Sequence, residues 1–255
     1  MPADSEVTGW YGKLPSLGDF ASRRLAPSFV EPWDDWLAGG LAAWREQSPE
    51  GWLEAYLASP SWRFVLMPGC LAGGPDGQSG DTCAWAGVLM PSVDRVGRYF
   101  PLTLVRRLPG LPADLQQLDG LLRWLHRLDD LALDVLHDDW TVEQLEAELP
   151  RLGHWVPPES LAPASAALRL ALPGPGAMVE LDAGLGLAAL LAAAAQQGLL
   201  DALHGQALWL SDDGTGAPAL RITNGLPQGA AFPAFLTRGL APAHADTFID
   251  EDRHD

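Results

Sequence analysis

Pro91–Leu104, PSVDRVGRYFPLTL, places one aspartate and two arginines between two apolar runs of the chain. The first run covers residues 85–90 and the second covers residues 99–105, and both are short and rich in aromatic or branched side chains. Runs of this length bounded by turn residues are typical of buried strands. The segment therefore predicts two strands joined by a charged turn at the edge of the core.

The charged residues of this turn are Asp94, Arg95 and Arg98, and Ser92 precedes them. Arginine presents a planar fork of N–H donors that can bind a carboxylate or a carbonyl within the protein, or a carboxylate or phosphate from outside. Two hypotheses follow. Asp94 and Arg98 form a structural clamp that fixes the bend, or the four residues form the site of an enzyme or a small-anion-binding protein.

The sheet is predicted to extend on both sides of this turn. Residues 62–67, 85–90 and 100–106 are expected to be sequential neighbours in a mostly antiparallel sheet. A short aromatic strand begins at Gly9, and residues 206–223 have the pattern of a hairpin, with two apolar runs around a glycine-rich loop.

Helices are expected to pack on this sheet. Residues 27–45 and 114–137 repeat apolar side chains every three or four positions, which is typical of an amphipathic helix. Thr141 with Gln144 has the spacing of a capping box at the start of a further helix, and residues 185–200 predict an alanine-rich one. The predicted fold class is an α/β sandwich with a central, mostly antiparallel sheet flanked by helices.

Three regions are expected along the chain. Residues 1–110 hold strands and a tryptophan-rich helix, and seven of the eleven tryptophans precede residue 90. Residues 111–245 hold helices and the hairpin and are expected to complete the same domain. Residues 246–255 form an acidic tail that is expected to be disordered.

Composition excludes several classes of function. The 255 residues carry a net charge of −17, which repels nucleic acids and anionic membrane surfaces. No apolar run reaches the roughly 18 residues of a membrane helix and the N-terminus lacks the pattern of a leader, so a cytoplasmic protein without membrane insertion is expected. Cys70 and Cys83 are then expected to be reduced thiols.

Motifs of catalysis are missing from the sequence. The six histidines lack metal-binding spacing, there is no CxxC or GxSxG, and the surroundings of Lys13 do not form a phosphate loop. No catalytic residue, metal site or cofactor is therefore assigned, and the chain is predicted not to be an enzyme. Lys13, the only lysine, and Asp19 are expected in a turn after the first strand.

Four segments together resemble the TagF family of type VI secretion-associated proteins. They are GWYGKLPSLGDF at residues 9–20, WDDWL at 33–37, SWRF at 61–64 and PSVDRVGRYFPLT at 91–103. The resemblance is strongest over residues 8–110. It implies a cytoplasmic accessory protein that represses the secretion machine post-translationally by binding its forkhead-associated (FHA) scaffold component, without an agreed catalytic site.

The resemblance also implies that exposed loops of the chain bind the FHA scaffold component. Lys13, Asp19 and Arg95 are predicted as contact residues on a strand-end rim formed by residues 13–19 and 91–98, because recognition is common on loops held by a rigid scaffold. A competing hypothesis places the contact on the acidic second half of the chain. There Asp129, Asp130, Asp134 and their neighbours would meet a basic surface, and binding would weaken steeply with salt.

Overall fold

The computed structural model of the chain describes residues 7–71, 83–112, 115–156, 198, 201–211 and 219–237. Within these ranges the helices and strands are, in chain order, β1 (Gly9–Gly12), β2 (Ala21–Arg23), α1 (Pro27–Gln47), α2 (Trp52–Leu57), β3 (Trp62–Leu66), β4 (Trp85–Met90), β5 (Leu102–Arg107), α3 (Leu115–His137), α4 (Val142–Leu152), β6 (Gln206–Ser211), β7 (Ala219–Asn224) and α5 (Ala231–Leu236). Apart from residue 198, the predicted helix at 185–200 lies outside the described residues, and so does the tail at 246–255.

All the strands of the described ranges join one sheet in the order β2-β1-β5-β4-β3-β6-β7. Every pairing is antiparallel, and the predicted neighbours β3, β4 and β5 lie side by side at its centre. Every residue of β4 is buried, because both faces of this central strand are covered by helices. The predicted sandwich is confirmed.

One face of the sheet packs against α1, α2 and α5 through an aromatic core. Trp33 is central to it, with ring centroids 4.8 Å from Trp36 and 5.0 Å from Phe64. Buried tryptophans need an acceptor for the indole N–H. Trp33 Nε1 donates to Thr103 Oγ1 at 2.9 Å, and Trp36 Nε1 donates to the carbonyl of Pro227 at 2.6 Å. These bonds join α1 to the sheet and to the turn before α5.

The opposite face packs against α3 and α4 through a mainly aliphatic core. Alternate residues of the strands turn to this side, as Val65, Val88 and Leu104 do, and they meet the buried stripe of α3. The predicted capping box starts α4, since Thr141 Oγ1 accepts from Gln144 N and the Gln144 side chain accepts from Thr141 N.

None of the helices in the described ranges combines the length and the apolar composition needed to cross a membrane. Cys70 and Cys83 are both free thiols, as predicted.

Candidate functional site

The β4–β5 hairpin ends in the charged turn predicted from the sequence. Asp94 O accepts from Gly97 N at 3.0 Å, and Asp94 N donates to the carbonyl of Arg98 at 3.0 Å. Gly97 has φ +77°, in the left-handed region that favours glycine. A tight turn closed by a left-handed glycine is a usual hairpin end. It holds Asp94 and Arg98 on the same short loop.

Asp94 is the centre of a cluster of charges. One carboxylate oxygen, Oδ2, accepts from Lys13 Nζ at 2.7 Å and from Arg98 Nε at 2.8 Å. The other, Oδ1, accepts from the backbone N–H groups of Val96 at 3.0 Å and Arg98 at 2.9 Å. Burial by itself would raise the pKa of Asp94, but these donors hold it well below its usual range. The carboxylate is therefore ionised and fully hydrogen-bonded. We call Lys13, Asp94 and Arg98 the buried charge cluster.

Lys13 is where the structure departs from the prediction of an exposed contact residue. Its side chain is only 2% exposed, and its ammonium is bound to Asp94 and lies 4.6 Å from the centre of the Phe20 ring. The preceding Gly12 directs the chain to this position, with φ +121° and so little room that a Cβ would lie 2.0 Å from the carbonyl oxygen of Pro101. The expectation of Lys13 on the outer surface was wrong because nothing local in the sequence indicates Asp94 as its partner.

Ser92 is also held inside. Its hydroxyl donates to the carbonyl of Lys13 at 2.9 Å, while Tyr56 Oη accepts from Ser92 N at 2.9 Å and donates to Ser92 O at 3.0 Å. Within the described ranges, no histidine is hydrogen-bonded to Ser92. The buried, hydrogen-bonded hydroxyl is out of reach of a substrate, which removes the nucleophile from the enzyme hypothesis.

Asp19 and Arg95 lie exposed, as predicted for contact residues. Asp19 Oδ1 accepts from the backbone N–H of Phe20 at 2.8 Å. Phe20 in turn packs edge-on against Phe100, with ring centroids 4.7 Å apart. The segments that carry Asp19 and Arg95 are thus fixed to the same edge of the sheet. Their role in partner binding, like the stabilising role of the Asp94–Arg98 pair, stays a prediction.

An open cavity of about 800 Å³ adjoins the buried charge cluster, and sequence reasoning missed it. Its wall is completed by residues of α1 and α2, including Asp34, Arg45 and Trp52. These residues come from segments far from the charged turn, so no motif or spacing indicates that they meet there. Only the position of Arg45 in the last turn of a tryptophan-rich helix marks it in the sequence.

The acidic face of α3 is less exposed than the competing hypothesis requires. Asp129 is buried, with Oδ2 3.8 Å from Arg63 Nε, and burial raises the pKa of its carboxyl. Asp130 and Asp134 are exposed. The expectation that Asp129 lies on the surface was wrong, because this position of α3 packs on β3.

No group of three or more histidine, cysteine, aspartate or glutamate side chains that could hold a metal ion occurs in the residues that the structure describes.

Comparison with known proteins identifies the family. The model of the TagF N-terminal domain, type VI secretion system-associated, matches residues 9–152. Among solved structures, the crystal structure of PA0076 from Pseudomonas aeruginosa PAO1 is 35% identical, with a TM-score of 0.63, and the alignment covers 91% of this chain and 94% of that one. No curated protein matches. The family match takes in both segments of the buried charge cluster, and the chain belongs to the TagF family of type VI secretion system-associated proteins.

Proposed function

We propose that this protein is a cytoplasmic, post-translational repressor of the type VI secretion system that acts by binding an FHA-type scaffold component. Family membership supports the accessory role in this system. The observation that carries the binding mode is a pair of exposed, opposite charges, Asp19 and Arg95, on loops whose backbone is fixed from beneath by the buried charge cluster. A surface held in one conformation binds without an entropic cost of ordering its loops.

The contact surface proposed is the strand-end rim, residues 13–19 and 91–98. Asp19 and Arg95 would make the polar contacts, while Val96, which is 69% exposed at the tip of the turn, would add an apolar one. Lys13 contributes by holding the turn through Asp94 and not by touching the partner. A contact of so few side chains is sufficient, because a few residues commonly carry most of the binding energy of a protein interface.

The face of α3 is the weaker alternative. Three of its acids are exposed, Asp119, Asp130 and Asp134, but Arg123 and Arg127 are exposed on the same helix and reduce its negative charge. Arg123 Nη2 is already paired with Asp119 Oδ2 at 2.8 Å. A face of mixed charge gives little long-range attraction for a basic partner.

The test is the affinity of the purified FHA-type scaffold for two matched double variants. Asp19→Ala/Arg95→Ala removes the two charges proposed to contact the partner, and Asp130→Asn/Asp134→Asn removes the same number of charged groups from α3. We expect the first to weaken binding by about tenfold or more and the second to change it little. Measuring both at low and high salt separates direct contacts from long-range charge attraction.

If the rim variant binds like the wild type and the α3 variant loses binding, the contact lies on α3 and the rim proposal is wrong. In cells, overproduction of the wild-type protein should reduce type VI secretion, whereas the rim variant should not. Scaffold binding that has no effect on secretion would contradict the repressor role while leaving the interaction intact.

A further inference from the structure

The cavity beside the buried charge cluster has the size of a small-molecule site. Its volume of about 800 Å³ falls within the range usual for ligand pockets, about 300–1,000 Å³. Three cations line it, Lys13, Arg45 and Arg98, against one carboxylate, that of Asp34. Asp94, which binds Lys13 and Arg98, offsets one more cation, so the site keeps one net positive charge in a chain whose net charge is −17.

Arg45 is held at the cavity wall by two contacts. Its guanidinium carbon lies 4.3 Å from the centre of the Trp52 ring, a cation–π contact, and Nη2 donates to the carbonyl of Tyr99 at 3.3 Å. A guanidinium has five N–H donors. In the described residues the others have no protein acceptor, and the side chain is exposed, so Arg45 is fixed in orientation with donors still available.

Arg98 also lines the cavity and is held by a contact at one end of its guanidinium. Its Nε is bound to Asp94, while its side chain is 51% exposed. No acceptor for its Nη atoms occurs in the part of the chain that the structure describes. Arg98 therefore binds the buried charge cluster through Nε, and its two Nη atoms are available to a ligand.

The other two charged side chains of the wall already have hydrogen-bond partners. Lys13 is bound to Asp94, and Asp34 accepts a hydrogen bond from the Tyr11 hydroxyl. Burial, together with that bond to Asp34, raises the pKa of Tyr11, so the phenol stays protonated and continues to donate. Within the described ranges no ion pair joins Asp34 to Arg45 or Arg98. The two arginines are thus the groups left to bind an anion.

Aromatic side chains form much of the rest of the wall, together with Ala38, Leu41, Ala42 and Gly97. Trp52, Tyr99 and Phe100 line the cavity, and Phe20 leaves 47% of its surface exposed at the opening. Exposed aromatic surface beside fixed donors is favourable for a flat apolar group, which would gain both burial and ring contacts.

We propose that this cavity binds an oxyanion, a carboxylate or a phosphate ester, that is attached to a flat apolar group. The guanidinium groups of Arg45 and Arg98 bind the anionic end, because their planar donor pairs match carboxylate and phosphate oxygens. The aromatic wall binds the apolar end. The ligand is either a free small molecule or a side chain presented by another protein. The proposal does not depend on scaffold binding, since the purified chain alone suffices to test it.

The experiment is a ligand-observed NMR titration of the full chain at low salt. The probes are phenyl phosphate and phenylacetate, with benzyl alcohol as a neutral analogue. We expect saturable binding of at least one anion, at most weak binding of the alcohol, and weakening on addition of salt. Arg45→Gln should weaken binding of the anion by about tenfold or more, as expected for loss of a charge-assisted hydrogen bond.

Arg123→Gln is the matched control, since it removes an exposed arginine from α3, outside the cavity wall, and it should bind like the wild type. Thermal unfolding of each variant establishes that the fold is retained, and Arg98→Gln provides a second test of the same site. Absence of saturable binding of either anion to the wild type would overturn the proposal, and so would equal affinities in the wild type, Arg45→Gln and Arg98→Gln.

A capped peptide with glutamate beside phenylalanine distinguishes the two sources of ligand. If the peptide displaces phenylacetate, the site can bind a side chain presented by another protein. Binding of the small anions with exclusion of the peptide identifies a free small molecule. Both results retain the site, and each assigns its ligand class.

Discussion

Lys13 Nζ lies 2.7 Å from Asp94 Oδ2, although 81 positions separate the two residues, and both side chains are buried. The pair connects the end of β1 to the tip of the β4–β5 hairpin. Burying two charges costs free energy unless the geometry is good and the remaining donors and acceptors are satisfied. Asp94 meets this condition with four hydrogen bonds, so the turn should depend on the complete set.

Lys13→Met should destabilise the protein more than Arg98→Met does. Lys13 is almost wholly buried, so in Lys13→Met no water reaches Asp94 to replace the lost ammonium. Arg98 is half-exposed, so in Arg98→Met water can donate to Asp94 in its place. Urea unfolding of both variants measures the difference. The double variant Lys13→Met/Asp94→Asn should lose less than the sum of the two single losses, because the two residues act on one interaction. Additive losses would show that the ion pair contributes nothing specific.

Asp94→Asn should remove part of the acid sensitivity of the fold. Because the folded pKa of Asp94 is depressed, its contribution is complete above the unfolded pKa of about 3.9 and is lost as the pH falls from there towards the lower folded value. The wild type should therefore exceed the variant in stability at pH 6, and the difference should shrink at pH 3 and below. Asp19→Asn, at an exposed site, controls for the change in net charge. A difference that is constant from pH 6 to pH 2 would contradict the depressed pKa.

Two neighbouring glycines of α1 should respond oppositely to alanine. A Cβ at Gly39 meets nothing within 4 Å, so Gly39→Ala should raise the free energy of unfolding by about 0.5–1 kcal/mol through helix propensity. A Cβ at Gly40 would lie 2.5 Å from the buried ring of Phe232 in α5. Gly40→Ala should therefore lower the free energy of unfolding by about 1–3 kcal/mol, the usual cost of overpacking. Changes of the same sign would mean that α5 does not pack closely on α1.

Cys70 should resist alkylation in the native protein. Burial raises the pKa of its thiol to about 12. At pH 8 the fraction present as the reactive thiolate is therefore roughly a thousandfold lower than for an unperturbed cysteine. Cys83 is partly exposed and should react first. Iodoacetamide labelling followed by peptide mass spectrometry distinguishes the two sites. Labelling of Cys70 should appear only when denaturant is added, and equal native rates would contradict its burial.

The sequence by itself determined the class of fold and most of its elements. The apolar runs of β3, β4 and β5, the three- and four-residue repeats of α1 and α3 and the capping box at Thr141 are all local patterns. Each reports which face of an element is buried, because side-chain direction repeats with the period of the backbone. The proximity of Asp94 to Arg98 was readable for the same reason, since four residues of one tight turn cannot lie far apart.

Only the tertiary structure decided which distant residues meet. Lys13 was expected at the surface, and it is buried because β1 pairs with β5 and brings Gly12 against Pro101 beneath the turn. The cavity of Arg45, Trp52 and Arg98 could not be predicted either, since it exists only where α1 and α2 pack beside the hairpin. The period of the apolar residues specifies which face of a helix or strand is buried, but not which element packs against that face. That choice depends on the packing of the whole chain.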